Sequence, residues 1–135
     1  MEKLDLLLKT GATAIGGALG FLVGGWSKLF IVLLIFVVTD YISGMIAARI
    51  EDKLKSKVGF IGIARKVMIF VIVAVAHQVD LAIGNGNVIR DATIFFYLAN
   101  ELLSIIENTG RIGVPVPSVL KKGVEVLKEK DGERK

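Results

Sequence analysis

The sequence lacks cysteine altogether, and it contains a long stretch without any charged residue. The missing cysteines exclude disulfides, zinc–thiolate sites and thiol nucleophiles. Between Thr10 and Ser27 there is no Asp, Glu, Lys or Arg, whereas residues 49–66 hold six basic and two acidic side chains. Hydrophobic residues make up 53% of only 135 residues, which is more than a soluble domain of this size can bury. The composition therefore predicts a membrane protein.

Four apolar segments predict an all-α, integral membrane helical bundle with four transmembrane helices, or three as the alternative. About twenty helical residues cross a hydrocarbon core of about 30 Å. The predicted spans are 4–26, 29–50, 63–84 and 88–108, within a transmembrane domain over 1–110. The second and third meet the length requirement. The fourth carries polar residues, and a partly interfacial position of the first is the alternative to a full span.

The segment 111–135 is predicted to be a basic tail on the cytoplasmic side. Gly84-Asn85-Gly86-Asn87 forms a breaker before the fourth span, and a Gly-Val-Pro-Val-Pro run at 113–117 ends that span. Ser118 is the predicted N-cap of a short amphipathic helix. We expect this helix to lie on the membrane surface, and a solvated tail is the alternative.

Basic residues between the second and third spans orient the chain. They are Arg49, Lys53, Lys55, Lys57, Arg65 and Lys66. With four spans, this loop and both termini face the cytoplasm, and with three spans only the N-terminus changes sides. The net charge of +4 does not indicate nucleic-acid binding, because the basic residues lie in short blocks between apolar runs.

Glycines in the first span predict close helix packing. Gly16, Gly20 and Gly24 are four residues apart, so one helix face presents bare backbone. Such ridges allow helices to approach closely in lipid. Self-association through this ridge is the favoured interpretation, and a flexible segment that packs within its own chain is the alternative.

Ionisable side chains occur inside the second and third spans. Asp40, Ser43 and Gly44 share one face of the second, and His77 and Asp80 are three residues apart in the third. A carboxylate at the bilayer centre costs about 2.5–3.5 kcal/mol, so it should face protein or water. Two ligands make a weak metal site, so a buried hydrogen bond between His77 and Asp80 is the favoured interpretation. No metal or cofactor is expected.

The fourth span carries a continuous polar stripe. Its members are Tyr97, Asn100, Glu101, Ser104, Glu107 and Asn108, which recur at helical spacing. This stripe predicts either the lining of an aqueous hole or a polar bundle core without conduction. No catalytic set accompanies it, so an enzyme is not expected. A small transporter or ion channel and a structural membrane subunit remain as alternatives.

Taken together, these motifs resemble the toxin-secretion/phage-lysis holin family of Gram-positive bacteria and their phages. The matching text over roughly residues 30–120 is Asp40-Tyr41-Ile42-Ser43-Gly44, Lys55-Ser56-Lys57, Gly59, Gly62, Arg65-Lys66, His77-x-x-Asp80, Asn100-Glu101-Leu102-Leu103-Ser104-Ile105-x-Glu107-Asn108 and Gly113-Val114-Pro115-Val116-Pro117. The resemblance implies a non-enzymatic protein of the cytoplasmic membrane. It implies that copies self-associate and open lesions that release an endolysin or, in some relatives, a large toxin.

Residue counting places three ionisable side chains near the bilayer midplane. Asp40 is twelve residues from Lys28, and His77 is eleven from Lys66, or about 18 and 16 Å at helical rise. Glu101 lies at a similar depth in the fourth span. We expect Asp40, His77 and Glu101 to meet in one protein-lined polar layer, with the histidine donating to a carboxylate.

The orientation predicts the labelling of single cysteines, for which the native chain gives no background. Cysteines that replace Lys55 and Lys130 should react only from the cytoplasmic side, and one that replaces Asn87 only from outside, because the basic loops are retained inside. A cysteine at Lys3 distinguishes three spans from four. Labelling of position 87 from the cytoplasm alone would contradict the orientation.

Overall fold

The computed structural model describes residues 1–133, and within that range it contains five α-helices and no β-strand. The helices are α1 (Glu2–Val23), α2 (Lys28–Ile50), α3 (Ser56–Ile83), α4 (Val88–Ile112) and α5 (Ser118–Glu133). The all-α prediction is confirmed. Of the described helices, α1, α2 and α3 are long and apolar enough to cross a membrane. The polar residues of α4 keep it outside that group.

Helix α4 lies at the centre of the bundle, where α2, α3 and α5 pack around it. The Arg90 side chain at its start reaches Ser27, and Arg111 at its end reaches Glu51, so α4 runs parallel to α2. Lys66 of α3 contacts Glu101, and the far end of α3 meets the start of α4, so these two helices are antiparallel. Helices α2, α3 and α4 therefore lie side by side and cover the same levels along the bundle axis.

The packed core is apolar, and so is most of the outer surface of α1, α2 and α3. The core cluster consists of Val23, Phe30, Leu33, Val37, Val73, Ile94 and Leu98. Large apolar side chains that remain exposed include Leu7, Ile15 and Phe21 on α1, Ile35 and Ile42 on α2, and Phe60 and Val67 on α3. Water would penalise this surface, whereas hydrocarbon would not. The bundle is thus adapted to a bilayer as its solvent.

The ends of the helices differ from the predictions in two informative places. Helix α1 ends at Val23, and Gly24 is its left-handed C-cap with φ of 87°, so Gly24 does not extend a helical glycine ridge. Helix α3 begins at Ser56, seven residues before the predicted start at Ile63. Because the helix starts earlier, Lys66 lies well inside α3 and is not at its entrance.

Helix α5 begins at Ser118 and packs lengthwise against α4. Ser118 is therefore the first helical residue and not the N-cap that the sequence predicts. Gly123 lies against Leu102, Val124 is buried, and Leu127 packs on the core cluster. The location of residues 111–135 relative to the membrane stays a prediction. The apolar stripe of α5 binds α4 because that stripe and the uncovered side of α4 bury each other.

A matched pair of glycine substitutions separates packing within the chain from packing between copies. A Cβ atom at Gly20 would lie 2.9 Å from the Trp26 ring, whereas none of the neighbouring atoms considered lies within 4 Å of such a Cβ at Gly17. We expect Gly20→Leu to displace the indole, which donates to the Gly16 carbonyl, and to lower the free energy of unfolding by about 1–3 kcal/mol. Fluorescence of Trp26, the only tryptophan, measures this in detergent. Gly17→Leu should leave it unchanged, and equal effects of both variants would contradict the account.

Candidate functional site

A buried ionic cluster joins the middles of α2, α3 and α4. The Lys66 ammonium contacts the Asp40 carboxylate, and it lies 2.9 Å from both carboxylate oxygens of Glu101. Asp40 and Glu101 are 7% and 4% exposed, so both charges are almost fully removed from solvent. Two acids on one base leave one excess negative charge if all three groups are ionised. Each helix thus depends on the other two for charge compensation.

Asn108 completes the hydrogen bonding of this cluster. Its amide donates to Asp40 Oδ1 at 2.8 Å, to the Asp40 backbone carbonyl at 3.1 Å and to Ser43 Oγ at 3.1 Å. A Cβ atom at Gly44 would lie 3.4 Å from the Asn108 side-chain nitrogen, so glycine at this position lets the Asn108 amide pack closely against α2. The Asp40, Ser43 and Gly44 stripe therefore serves contact with α4.

The sequence predicted that Asp40 and Glu101 lie close together, but it did not identify Lys66 as the third member of the cluster. The predicted third span began at residue 63, which put Lys66 at the membrane entrance as an orientation signal. Extension of α3 to Ser56 places Lys66 ten residues inside the helix. The earlier start of α3 could have been inferred from residues 56–62, which contain no proline and therefore no strong helix breaker.

His77 does not join the layer that was expected for it, and it does not pair with Asp80. It lies eleven residues from Lys66 along α3, at the level of Gly24, where its imidazole packs against the C-cap of α1. Its Nδ1 atom is buried with no hydrogen-bond partner among residues 1–133. Lys66 lies level with Glu101. His77 is eleven residues further along α3 and therefore lies about 16 Å along the helix axis from the level of Glu101.

Asp80 and Arg90 instead fix the opposite end of the bundle. The Asp80 carboxylate accepts from the backbone N–H groups of Ile89 and Arg90 at 2.9 and 2.8 Å, so it caps α4 from another helix. The Arg90 guanidinium donates to the carbonyls of Val23 and Gly24. Arg90 was not singled out from the sequence, where it is an isolated cation beside a turn.

The polar stripe of α4 divides between two environments. Glu101 and Asn108 face the ionic cluster, Tyr97 and Ser104 are half-buried, and Asn100 and Glu107 are exposed. The stripe is therefore neither a single buried core nor a single open lining. No three of the His, Asp and Glu side chains within 1–133 are grouped so that they could hold a metal ion.

An ion pair connects the ends of α2 and α4 outside the apolar part of the bundle. Arg111 lies 2.5 Å from Glu51 Oε1, and its hydrogen bond holds the pKa of the Glu51 carboxyl below its ordinary value. Because the pKa of Glu51 is lower in the folded state, the ion pair stabilises that state at pH values above the pKa of the unfolded chain. This stabilisation is lost as the pH falls through the pKa of the folded state. The pair is exposed, so its effect is small.

The apolar exterior and the buried ionic cluster are those of a helical membrane protein. The sequence model described as the Bacteriophage holin family matches residues 17–129, which is most of the chain. The chain belongs to this family, whose members are pore-forming membrane proteins.

Several known proteins are similar over nearly the whole length. A protein of Listeria monocytogenes is 48% identical over 130 residues, covering 96% of this chain and 93% of its own. A protein of Clostridium perfringens is 34% identical, covering 96% and 99%. A protein of Bacillus phage phi105 named as a probable holin is 36% identical over 111 residues and covers 82% of each chain. No solved structure matches.

Removal of the shared cation tests the ionic cluster. Lys66→Met leaves two carboxylates buried without a counter-charge, so we expect the free energy of unfolding to fall by about 3–5 kcal/mol. Lys57→Met, which changes an exposed lysine in the same helix, is the matched control and should be neutral. Adding Glu101→Gln to Lys66→Met should recover part of the loss. Denaturant titration in detergent measures all variants, and equal midpoints for Lys66→Met and Lys57→Met would contradict the assignment.

Proposed function

We propose that the protein is a holin that self-associates in the bacterial cytoplasmic membrane and permeabilises it. The lesion releases a cell-wall-degrading endolysin or a large toxin, and host cell lysis follows. Family membership and the probable holin of Bacillus phage phi105 support this proposal. The partners are then the lipid bilayer and further copies of the chain, with endolysin or toxin as cargo.

The observation that carries the proposal is the contrast between two sides of the bundle. The outer surfaces of α1, α2 and α3 are rich in exposed Leu, Ile, Val and Phe. The side formed by α4 and α5 instead exposes polar and charged groups, namely Asn100, Glu107, Lys121, Lys122, Glu125, Lys128 and Glu129. Each charge at the bilayer centre costs about 2.5–3.5 kcal/mol. Such a molecule is suited to the wall of an aqueous lesion, with one side in lipid and the other in water.

The same contacts support a four-span topology. Helix α4 is too polar to qualify as a span by hydropathy alone. Yet Lys66 and Asn108 hold its middle level with the middles of α2 and α3, and Arg90 holds its start beside the start of α2. If α2 and α3 cross the bilayer, α4 crosses with them, because its inward polar groups are satisfied by protein. The basic loop between α2 and α3 then faces the cytoplasm. Helix α5 runs back along α4, so Asp131 lies beside Ile89 and Thr93 at the opposite end of the bundle, and the predicted cytoplasmic C-terminus does not fit this arrangement.

Controlled expression with a membrane-potential dye tests this function. After a lag in which copies accumulate, we expect abrupt and non-selective loss of potential, and rapid lysis only when an endolysin is present in the same cells. Glu101→Leu should insert but fail to permeabilise, because Lys66 and Asp40 lose a partner on α4. Glu2→Leu alters an exposed glutamate at the start of α1 and serves as the matched control.

The kind of flux distinguishes a holin from a transporter. Gradual, saturable flux of one solute would contradict the holin proposal and support a small transporter that uses the intramembrane acids. An unchanged potential at high levels of inserted protein would contradict both functions.

A further inference from the structure

Two exposed, opposite charges form no ion pair within residues 1–133. Arg65 of α3 is exposed and makes no hydrogen bond or ion pair to another of these residues. Glu107 of α4 is also exposed and forms no ion pair in that range. Arg111 interacts electrostatically with Glu107, but its guanidinium is bound to Glu51. Both charges would be costly in lipid, so each is expected to find water or an opposite charge.

The two side chains lie at compatible depths. Contact between Lys66 and Glu101 places residue 66 of α3 level with residue 101 of α4, and Arg65 is adjacent to Lys66. Glu107 is six residues beyond Glu101, or about 9 Å closer to the loop end of α4. The long arginine side chain can extend toward that end while its stem stays on apolar surface. Arg65 and Glu107 of neighbouring, equally inserted copies can therefore meet.

The two charges lie on surfaces of different character. Arg65 lines a cleft of about 440 Å³ between α2 and α3, whose lining includes Tyr41, Gly44 and Gly62, the cluster residues Asp40 and Lys66, and Asn108 of α4. Glu107 belongs to a projecting stripe on α4 that is exposed at Phe96, Asn100, Leu103, Glu107 and Gly110. Spacings of four, three, four and three along this stripe are those of a helix face that packs lengthwise against other helices. The cleft presents the exposed cation Arg65, and the exposed stripe presents the anion Glu107.

We propose that the α4 stripe of one copy packs along the α2–α3 cleft of the next, with Glu107 paired to Arg65. This inference rests on the proposed function and identifies the surface through which copies associate. A second copy is the occupant that the charges favour, because identical topology brings the acid and the base to neighbouring depths. The contact is heterologous, so repetition extends the assembly and closes it into a ring if the rotation permits.

Cross-linking of single and double cysteine variants of the full chain tests this geometry. Membranes that contain Arg65→Cys and Glu107→Cys together on one chain should give a ladder of dimers, trimers and larger species with a short bismaleimide reagent. Chains with only one of the two substitutions should stay monomeric when expressed separately and give dimers when co-expressed. Arg65 and Asn108 of one chain line the same cleft, so a cross-link within one chain can keep the double variant monomeric. The absence of dimers when the two single variants are co-expressed, or dimers from either single variant expressed by itself, would overturn the proposal.

Exchange of the two charges tests the ion pair itself. We expect Arg65→Glu or Glu107→Arg to reduce the oligomeric fraction on native gels at least fivefold, and the double exchange to restore it to within about twofold of the parent. Arg49→Glu removes an exposed cation from the same end of the bundle and should leave the fraction unchanged. Failure of the double exchange to recover, when cysteine labelling shows normal insertion, would overturn the pairing.

The two proposals fail in distinguishable ways. A cross-linked ladder in membranes that keep their potential would support this interface and contradict the holin function. Abrupt permeabilisation by a chain whose two single cysteine variants give no dimers when co-expressed would support the function and overturn the interface.

Discussion

The position of Lys66 between Asp40 and Glu101 is the constraint on which the bundle depends. A charged group inside a bilayer is tolerated only when protein or water compensates it, and here three helices each supply one charge. The contact fixes the axial register of α2, α3 and α4 together. Asn108 then closes the hydrogen bonding of Asp40 from the same helix as Glu101. The axial register of α4 and its parallel direction relative to α2 follow from these contacts.

At the other end of the bundle, the same helices are joined by a different kind of contact. Arg90 binds the carbonyls at the end of α1, and Asp80 caps the start of α4 with its carboxylate. These bonds satisfy backbone groups at helix ends, whereas the Lys66 cluster compensates side-chain charges in the middle. The bundle is therefore held at two levels, and apolar packing of residues such as Leu33, Ile94 and Leu98 fills the space between them.

The exterior explains why a bundle of this kind is suited to the edge of a lesion. Apolar side chains cover the outside of α1, α2 and α3, and charged residues cover α5 and part of α4. A lipid bilayer rewards the first surface and penalises the second. Water on that side, or an opposite charge from another copy, relieves that cost. In the proposed assembly, the exposed Arg65 and Glu107 supply such opposite charges between neighbouring copies.

The sequence by itself determined the helical class, the helix that begins at Ser118, the turn near Gly84 and the burial of Asp40 and Glu101. These features follow from hydropathy, capping and the cost of charge in lipid, which are local or one-dimensional. Only the tertiary structure decided that Lys66 joins the two acids and that His77 lies apart, because axial register between helices depends on where α3 begins. It also decided that α5 covers α4, since an amphipathic stripe does not specify which apolar surface it will bury.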